Sequence, residues 1–296
     1  MKLTTYFQQF YLNYPFLSLD KLIDYFSIFG GLDDYSCINL HNATLRDALD
    51  EVVKNCNLNL PFFATQEPFR KFLIKLAIGD GKIDSTLNKA LIGHSFGEEL
   101  INELIEANIL YIVNSREKPL KSYKKELIKK ELRGYHIQNK LRFTKPIYKF
   151  WFGFVEPLKD KYENIDINLL YNRVQKFKNS LTYLVFEQLS RELLKIHLQN
   201  SSLNCSSYWD RFSEFDIYCQ DSQSRGVVGE CKYTSRPVTK AELIKLYSKI
   251  EQSNLNIDKV ALFSKSGFSS ELKKSKNSKL LLFELEDYRV LLNTLR

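Results

Sequence analysis

Aromatic side chains recur at helical spacing through residues 1–65. Phe7, Phe10 and Tyr14 lie three or four residues apart, and a second aromatic cluster over Tyr25–Phe29 ends at Gly30. Apolar residues with this period predict amphipathic helices that bury their aromatic face. We therefore expect residues 1–65 to form a helical N-terminal region around an aromatic core.

Residues 66–150 show three short helical patterns followed by two strand-like patterns. The predicted helices cover Phe69–Ala77, Thr86–Ile92 and Glu98–Ala107, and the predicted strands cover Ile109–Val113 and Leu141–Phe143. Three helices followed by a β-hairpin are the element order of a winged helix-turn-helix, in which Glu98–Ala107 would be the recognition helix. The alternative is a small helical spacer that binds no ligand.

The remaining chain predicts a peripheral segment and then a domain that contains a sheet. Residues 151–178 are interpreted as a linker or peripheral helix, and residues 179–296 as a separate domain. The predicted elements of this domain are, in order, helix Leu181–Leu198, strands Tyr208–Cys219 and Gly226–Tyr233, helix Val238–Glu251, strand Asp258–Phe263, helix Ser269–Lys274 and strand Lys279–Leu285. This order predicts a mixed sheet with helices on its faces, so the whole chain is expected to belong to the α+β class.

The composition is that of a folded globular protein. Of the 296 residues, 44% are hydrophobic and 26% are charged, which excludes a disordered or collagen-like chain. No apolar run approaches the roughly 20 residues of a transmembrane helix, and the N-terminus lacks the features of a signal peptide. We therefore expect no membrane partner and a cytoplasmic location.

The five cysteines are widely scattered and form no C-x-x-C pair. Their odd number and irregular spacing predict neither a zinc site nor a disulfide framework. Reduced thiols are typical of a cytoplasmic protein, which agrees with the expected location.

The positive charge of the chain is concentrated in one segment. The formal net charge is +8, whereas residues 116–149 alone carry twelve basic and three acidic side chains, a net +9. A charge run is usually a solvated face, but tyrosines are interleaved with this one, which favours a surface that contacts phosphates. The candidate nucleic-acid contacts are Lys121, Lys124, Lys125, Lys129, Lys130, Arg133, Lys140 and Arg142. The expected partner is DNA, either duplex or branched.

Two predicted strands bring carboxylates and a lysine together. In the second strand, alternation places Glu230 and Lys232 on one face and Cys231 on the other, where a thiol can be buried. Asp216 lies on the preceding strand, one pairing step away. Glu187 lies on the helix before the strands and could face the same point.

Hydrolysis of a phosphodiester bond needs such a set of groups. Mg2+ takes hard oxygen ligands, often only one or two carboxylates, and it neutralises charge that develops on the phosphate. Asp216 and Glu230 are the predicted ligands, with the Cys231 backbone carbonyl and Glu187 as further candidates, and Mn2+ is expected to substitute for Mg2+. Lys232 would position the attacking water and stabilise the transition state. The alternative is a structural ion-pair cluster and, for Glu187, a solvated helix position.

These residues resemble the motifs of the PD-(D/E)XK nuclease superfamily. The chain is similar to the winged-helix plus nuclease-like C-terminal region of archaeal-type P-loop ATPases in three motifs, which are Gly229-Glu230-Cys231-Lys232-Tyr233, Glu214-Phe215-Asp216 and Phe186-Glu187. The resemblance implies a restriction-endonuclease-like α/β domain, strongest over residues 180–285, preceded by a winged helix. No G-x-x-x-x-G-K-[ST] motif is present, so the ATPase half of those proteins is missing from this sequence.

Three hypotheses about function follow from the sequence. The first is a Mg2+-dependent DNA endonuclease that binds DNA through the winged helix and the basic segment; a homodimer is compatible with it, because cutting both strands often needs two active sites. The second is a non-catalytic DNA-binding protein or regulator that retains a nuclease fold. The third is an adaptor that binds a protein partner through the aromatic helices of residues 1–65.

Overall fold

The structure is a computed structural model that describes residues 2–41, 43–117, 126–128, 130, 137–159, 164–200, 203–220, 226–253 and 255–293. In these ranges helices and strands are mixed, and the larger sheet has five strands. The predicted combination of helices with a mixed sheet is therefore confirmed at this level.

The N-terminal region is helical, as predicted. Helices α1 (Leu3–Asn13), α2 (Leu19–Phe29) and α3 (Leu45–Asn55) form it. The rings of Phe7 and Phe26 lie 5.0 Å apart and both side chains are fully buried. The predicted aromatic core is confirmed.

The next elements follow in the predicted order. Helices α4 (Phe69–Ile78), α5 (Ile83–Ala90) and α6 (His94–Glu106) precede the antiparallel strands β1 (Leu110–Val113) and β2 (Lys140–Phe143). The starts of α5 and α6 were predicted too late, because neither helix has a side-chain hydrogen bond at its N-cap to mark where it begins. A winged-helix role for these elements stays a prediction.

Of the two alternatives predicted for residues 151–178, the linker is wrong, because the described part of this range is largely helical. Helix α7 (Pro146–Phe150), a π-helical turn (Trp151–Val155) and helix α8 (Glu156–Lys159) follow one another, and all five residues of the turn are buried. Helix α9 (Ile167–His197) has 31 residues and already begins inside the supposed linker. Asp166 caps it by accepting the backbone N–H groups of Asn168 and Leu169.

Helix α9 joins the N-terminal helices and the sheet into one hydrophobic core. The hydroxyl oxygens of Ser27 in α2 and Thr182 in α9 are 3.0 Å apart and buried. Further along the helix, Phe186 packs its ring 4.9 Å from that of Tyr233, next to the sheet. The predicted boundary between residues 178 and 179 therefore falls inside a helix that both parts share.

The larger sheet is mixed and has the strand order β3-β4-β5-β6-β7. Its strands are β3 (Asn204–Trp209), β4 (Glu214–Gln220), β5 (Gly226–Lys232), β6 (Ile257–Ser264) and β7 (Leu280–Glu284). The pairs β3–β4 and β4–β5 are antiparallel, and the pairs β5–β6 and β6–β7 are parallel. Helices α10 (Lys240–Ser253) and α11 (Ser270–Lys274) pack on the face opposite α9, and a 3-10 helix (Leu285–Leu292) follows β7.

The single strand predicted over Tyr208–Cys219 is wrong, because these residues belong to two strands. The carboxylate of Asp210 accepts the backbone N–H groups of Phe212 and Ser213, and this turn reverses the chain between β3 and β4. Residues 210–213 contain no glycine or proline, so no strong turn signal separates the two strands in the sequence.

Two disulfides correct the prediction from the cysteines. Cys37 bonds to Cys56 and Cys205 bonds to Cys219, whereas Cys231 is a free, buried thiol. Cys205 and Cys219 are directly paired across β3 and β4, a proximity created by strand pairing and not visible in their spacing. The expected reducing compartment therefore loses the support of the cysteine pattern.

In the described ranges no helix is both long and apolar enough to cross a membrane.

Lys149, a lysine of the basic segment, is partly buried against helix α4. The ammonium group of Lys149 donates to the backbone carbonyl of Ala77 at 2.8 Å. Burial, reinforced by the positive charge of Arg142, lowers the pKa of Lys149 from 10.5 to about 8. A group whose pKa is lower in the folded state destabilises the fold while it is charged, and this cost disappears as the pH rises from the folded toward the unfolded pKa.

We expect Lys149→Met to stabilise the protein at pH 7 by about 2 kcal/mol, after the loss of one hydrogen bond is subtracted. The gain should largely disappear at pH 10, where the wild-type lysine is mostly neutral in the folded state. Urea unfolding of both proteins at both pH values measures this difference. The control is Lys89→Met, at an exposed position of α5, and an advantage of Lys149→Met that is equal at pH 7 and pH 10 would contradict the explanation.

Candidate active site

A β-bulge in β4 positions Asp216. Ser206 pairs with Tyr218 and Tyr208 pairs with Phe215, so Asp216 and its neighbour together face a single residue of β3. Such a bulge re-aims side chains. Asp216 accordingly turns toward α9, where its Oδ2 accepts the hydroxyl of Tyr183 at 2.8 Å.

The Asp216 carboxylate also holds the two central strands together at this point. Its Oδ2 accepts the backbone N–H of Cys231 in β5 at 2.8 Å. Both of these hydrogen bonds use Oδ2, and Oδ1 has no hydrogen-bond partner among the described residues. One carboxylate oxygen of Asp216 is thus available for a further ligand.

Glu230 and Lys232 share one face of β5, as predicted from alternation. The Lys232 ammonium lies 2.7 Å from Glu230 Oε1, while Cys231 is fully buried on the other face. A second ammonium, that of Lys249 in α10, lies 3.2 Å from Glu230 Oε2. Lys232 also approaches Glu242 Oε2 at 3.6 Å.

Lys249 and Glu242 were not selected from the sequence. Two other lysines of that helix, Lys240 and Lys245, pair with Glu271 and Glu242. Lys249 follows Lys245 by one helical turn, so the i, i+4 spacing along α10 was the signal that could have found it.

The two carboxylates repel each other in a site largely closed to water. Burial, followed by the negative charge of Glu230, raises the pKa of Asp216 from 3.8 to about 6. Burial by itself would lower the pKa of Lys232, but its hydrogen bond to Glu230 and the charges of Glu230 and Asp216 raise it. The carboxylates of Asp216 and Glu230 therefore repel each other, and the ammonium of Lys232 beside them stays charged.

Glu187 is buried beside the same carboxylate. Its Oε2 lies 3.7 Å from the Arg191 guanidinium on the next turn of α9. Burial, followed by the charge of Asp216, raises the pKa of Glu187 from 4.5 to about 8. The alternative of a solvated helix position is therefore wrong.

Tyr183 is a site residue that the sequence analysis missed. It precedes Glu187 by four residues on α9, so the two side chains lie on one face of the helix. Burial and the charge of Asp216 raise the pKa of Tyr183 strongly, and its hydroxyl stays protonated and donates to Asp216. The i, i+4 relation to Glu187 was the available signal.

The structure brings Asp216, Glu230 and Lys232 together and leaves Glu187 beside them. Within the described ranges, no three His, Cys, Asp or Glu side chains are placed to share one metal ion. Metal ligation by Asp216, Glu230 and Glu187 stays a prediction. The Cys231 backbone lies next to Asp216 through its N–H, and a ligand role for its carbonyl stays a prediction.

Part of the chain matches a known protein family. Residues 151–245 match the sequence profile of the DUF234 family, described as archaeal and bacterial proteins of unknown function. The matched segment is about a third of the chain and contains Glu187, Asp216, Glu230 and Lys232, but it ends before Lys249. No curated protein and no solved structure matches the chain.

Several basic residues near this site are engaged within the protein. Lys140 is buried, lies 2.6 Å from Glu214 Oε1 and places its ammonium 4.4 Å from the centre of the Trp209 ring. Arg142 donates to the backbone carbonyls of Asp80 and Leu141 at 3.0 and 3.1 Å. The hairpin β1–β2 thereby packs against the β3–β4 end of the sheet.

The expectation that residues 116–149 form one phosphate-binding surface is wrong for part of the segment. Lys140, Lys145 and Lys149 hold together elements of the protein, Lys145 through Asp33 at 2.6 Å. Lys130 is exposed, as a phosphate contact must be. The other predicted contacts, Lys121, Lys124, Lys125, Lys129 and Arg133, lie outside the described residues.

Proposed function

We propose that this protein is a divalent-metal-dependent nuclease that hydrolyses phosphodiester bonds in DNA. The observation that carries the proposal is the juxtaposition of two repelling carboxylates, Asp216 and Glu230, with the ammonium of Lys232. Perturbed titratable groups that converge in this way are typical of catalytic sites. The proposal includes Mg2+ as the cofactor, with Mn2+ able to substitute.

The residues fit a hydrated divalent cation. Asp216 Oδ1 is available, and Glu230 supplies a second carboxylate from the adjacent strand. Two carboxylates are sufficient for Mg2+, which keeps several of its waters. A cation would also relieve the repulsion that raises the pKa of Asp216.

Each side chain of the candidate site would have a separate chemical role. When bound, a divalent cation would polarise the phosphate and make water more acidic. Tyr183 and the Cys231 N–H orient Asp216, so its remaining oxygen points in a fixed direction. Lys232 offers an ammonium that can align the attacking water and stabilise the negative charge of the transition state. Lys249 holds the other oxygen of Glu230 and is available to bind a flanking phosphate.

The proposal also assigns roles to the rest of the chain. Residues 66–150 would act as a winged helix that binds duplex or branched DNA, and the sheet would be a restriction-endonuclease-like domain. Cleavage of both strands would use two copies of the chain. A cytoplasmic location is part of this proposal, because its substrate would be cellular DNA.

A non-catalytic DNA-binding protein is the second candidate, and one observation favours it. Each oxygen of Glu230 already has an ammonium partner, Lys232 on one side and Lys249 on the other. Such a neutralised cluster can stabilise the fold without a metal. This candidate predicts DNA binding that falls with salt and does not change with Mg2+.

Metal-dependent stabilisation separates the two candidates. We expect Mg2+ at ten times its dissociation constant to stabilise the wild-type protein by about 1.4 kcal/mol, a rise in Tm of roughly 3 °C. Asp216→Asn should remove this response, because the amide cannot supply the charge that binds the cation. Thermal unfolding with and without Mg2+ measures it.

The matched control is Asp258→Asn, which removes an exposed carboxylate from β6 and should keep the response. A Tm that rises equally in wild type, Asp216→Asn and Asp258→Asn would place the metal elsewhere and count against the proposal.

A further inference from the structure

A cavity lies beside the candidate active site on the α10 face of the sheet. Its volume is about 910 Å3, within the range of small-molecule sites. The β3–β4 turn, the far end of β4 and the C-terminal end of α10 enclose it. Its chemistry differs from that of the carboxylate site.

Aromatic rings form one wall of the cavity. Tyr208 and Tyr218 are buried, with ring centres 5.3 Å apart in an edge-to-face arrangement. Phe212 stands at the rim with 70% of its surface exposed, although it is a large apolar side chain. Exposed aromatic rings beside a cavity are platforms on which a planar group can stack.

Two arginines add positive charge to this wall. The Arg116 guanidinium lies 5.0 Å above the centre of the Tyr218 ring and donates to the backbone carbonyl of Asn204. Among the described residues Arg116 makes no ion pair with a carboxylate, so its charge is not neutralised there. The Arg211 guanidinium lies 5.8 Å from the centre of the Phe212 ring and is ion-paired with Glu117. A guanidinium over an aromatic ring suits a ligand that is both planar and anionic.

Side-chain amides also line the cavity. Gln220 and Asn256 both face the cavity, and in the described part of the chain neither side-chain amide has a hydrogen-bond partner. An amide offers one acceptor and two donors, the combination that reads the edge of a nucleobase.

Helix α10 contributes residues to both the cavity and the candidate active site. Lys249 contacts Glu230, while Gln252 and Ser253, three and four residues later, line the cavity. Residues at this spacing lie on one face of a helix, about 5.4 Å apart along its axis. A nucleic-acid strand bound across this face of α10 would therefore place one group in the cavity and the neighbouring group at the carboxylate site.

We infer that this cavity binds an unpaired base of a nucleic-acid strand, next to the phosphodiester bond that the carboxylate site would cut. The inference rests on the proposed function for its location and on the cavity itself for its chemistry. Bases in a duplex are stacked and cannot reach a concave aromatic wall, whereas an unpaired or flipped base can. Phe212 stacks on the base, Gln220 and Asn256 bind its edge, and Arg116 contacts a phosphate. The preferred substrate is therefore a single-stranded or branched nucleic acid.

The test measures binding in EDTA, so that it does not depend on cleavage. Fluorescence anisotropy compares a labelled single-stranded oligonucleotide with the blunt duplex of the same sequence. We expect Phe212→Ala to weaken binding of the single strand roughly ten-fold and to leave duplex binding unchanged. Phe212→Trp should restore the single-strand affinity. Phe62→Ala, which removes another highly exposed ring, should change neither.

Two outcomes would overturn the inference. One is a Phe212→Ala protein that binds the single strand as tightly as wild type, or that loses affinity for strand and duplex equally. The other is a free mononucleotide that binds as tightly as the strand and competes with it, because the cavity would then serve a nucleotide ligand. Failure of the proposed nuclease is seen separately, as absent Mg2+-dependent cleavage in a wild-type protein that still passes the binding test.

Discussion

Lys232→Met is expected to slow Mg2+-dependent DNA cleavage by roughly 10²–10³-fold, the usual effect of removing one preorganised charge-stabilising group. The ammonium of Lys232 lies 2.7 Å from Glu230 and is held charged by both neighbouring carboxylates. Methionine keeps the length and apolar stem of lysine, so the loss should be of charge and not of packing. Single-turnover cleavage of plasmid and branched DNA gives the rate, and circular dichroism verifies the fold.

The other lysines near this site provide graded controls. Lys245→Met removes an exposed ammonium from α10 that pairs with Glu242, and it should leave the rate unchanged. Lys249→Met removes the second partner of Glu230 and should have an intermediate effect. Equal rates for wild type and Lys232→Met, both with measurable Mg2+-dependent cleavage, would exclude the assigned role of Lys232. Wild-type protein that cleaves no DNA would favour the non-catalytic candidate.

Phe186→Ala should destabilise the protein by about 3–5 kcal/mol, the range for truncating a fully buried phenylalanine. The Phe186 ring lies 4.9 Å from both Tyr233 and Tyr288, at the junction between α9, the end of β5 and the final 3-10 helix. Its removal would leave a void where rings from three elements meet. Urea unfolding followed by circular dichroism measures the change.

Phe177→Ala is the matched control on the same helix. Phe177 is 47% exposed, so its truncation should alter the free energy of unfolding by less than about 0.5 kcal/mol. Equal free energies of unfolding for Phe186→Ala and Phe177→Ala would show that the core at this junction is not packed as described.

The spacing of hydrophobic residues predicted those helices and strands that have one buried face and one face of different character. The aromatic stripe of Phe7 and Phe10 identified α1, and alternation along β5 correctly separated Glu230 and Lys232 from buried Cys231. Each of these side chains faces either the core or the candidate site, and the period of the helix or strand determines which of the two it faces. These positions were therefore predictable.

The parts that were missed depend on contacts between distant segments. Lys249 reaches Glu230 only because α10 crosses the end of β5, and Tyr183 reaches Asp216 only because a bulge turns that carboxylate toward α9. A bulge adds one residue without changing the hydrophobic pattern enough to be recognised. The turn at Asp210 was missed for another reason, since residues 210–213 contain no glycine or proline.

Charge counting failed for a different physical reason. Net charge says where basic residues occur along the chain but not which of them face water. Lys140 and Lys145 each lie 2.6 Å from a carboxylate supplied by another part of the chain, Glu214 and Asp33. Part of the local excess is thus neutralised by residues far away in sequence.

The N-terminal helices are a permanent part of the scaffold that supports the candidate active site. The hydroxyl of Tyr233, the residue after Lys232, donates to Asp24 of α2 at 3.0 Å, and Thr182 of α9 contacts Ser27 of the same helix. A gene fragment that encoded only the sheet and half of α9 would lose both contacts and expose their apolar surroundings to water. A substitution in α2 can therefore shift the candidate active site although no residue of α2 belongs to it.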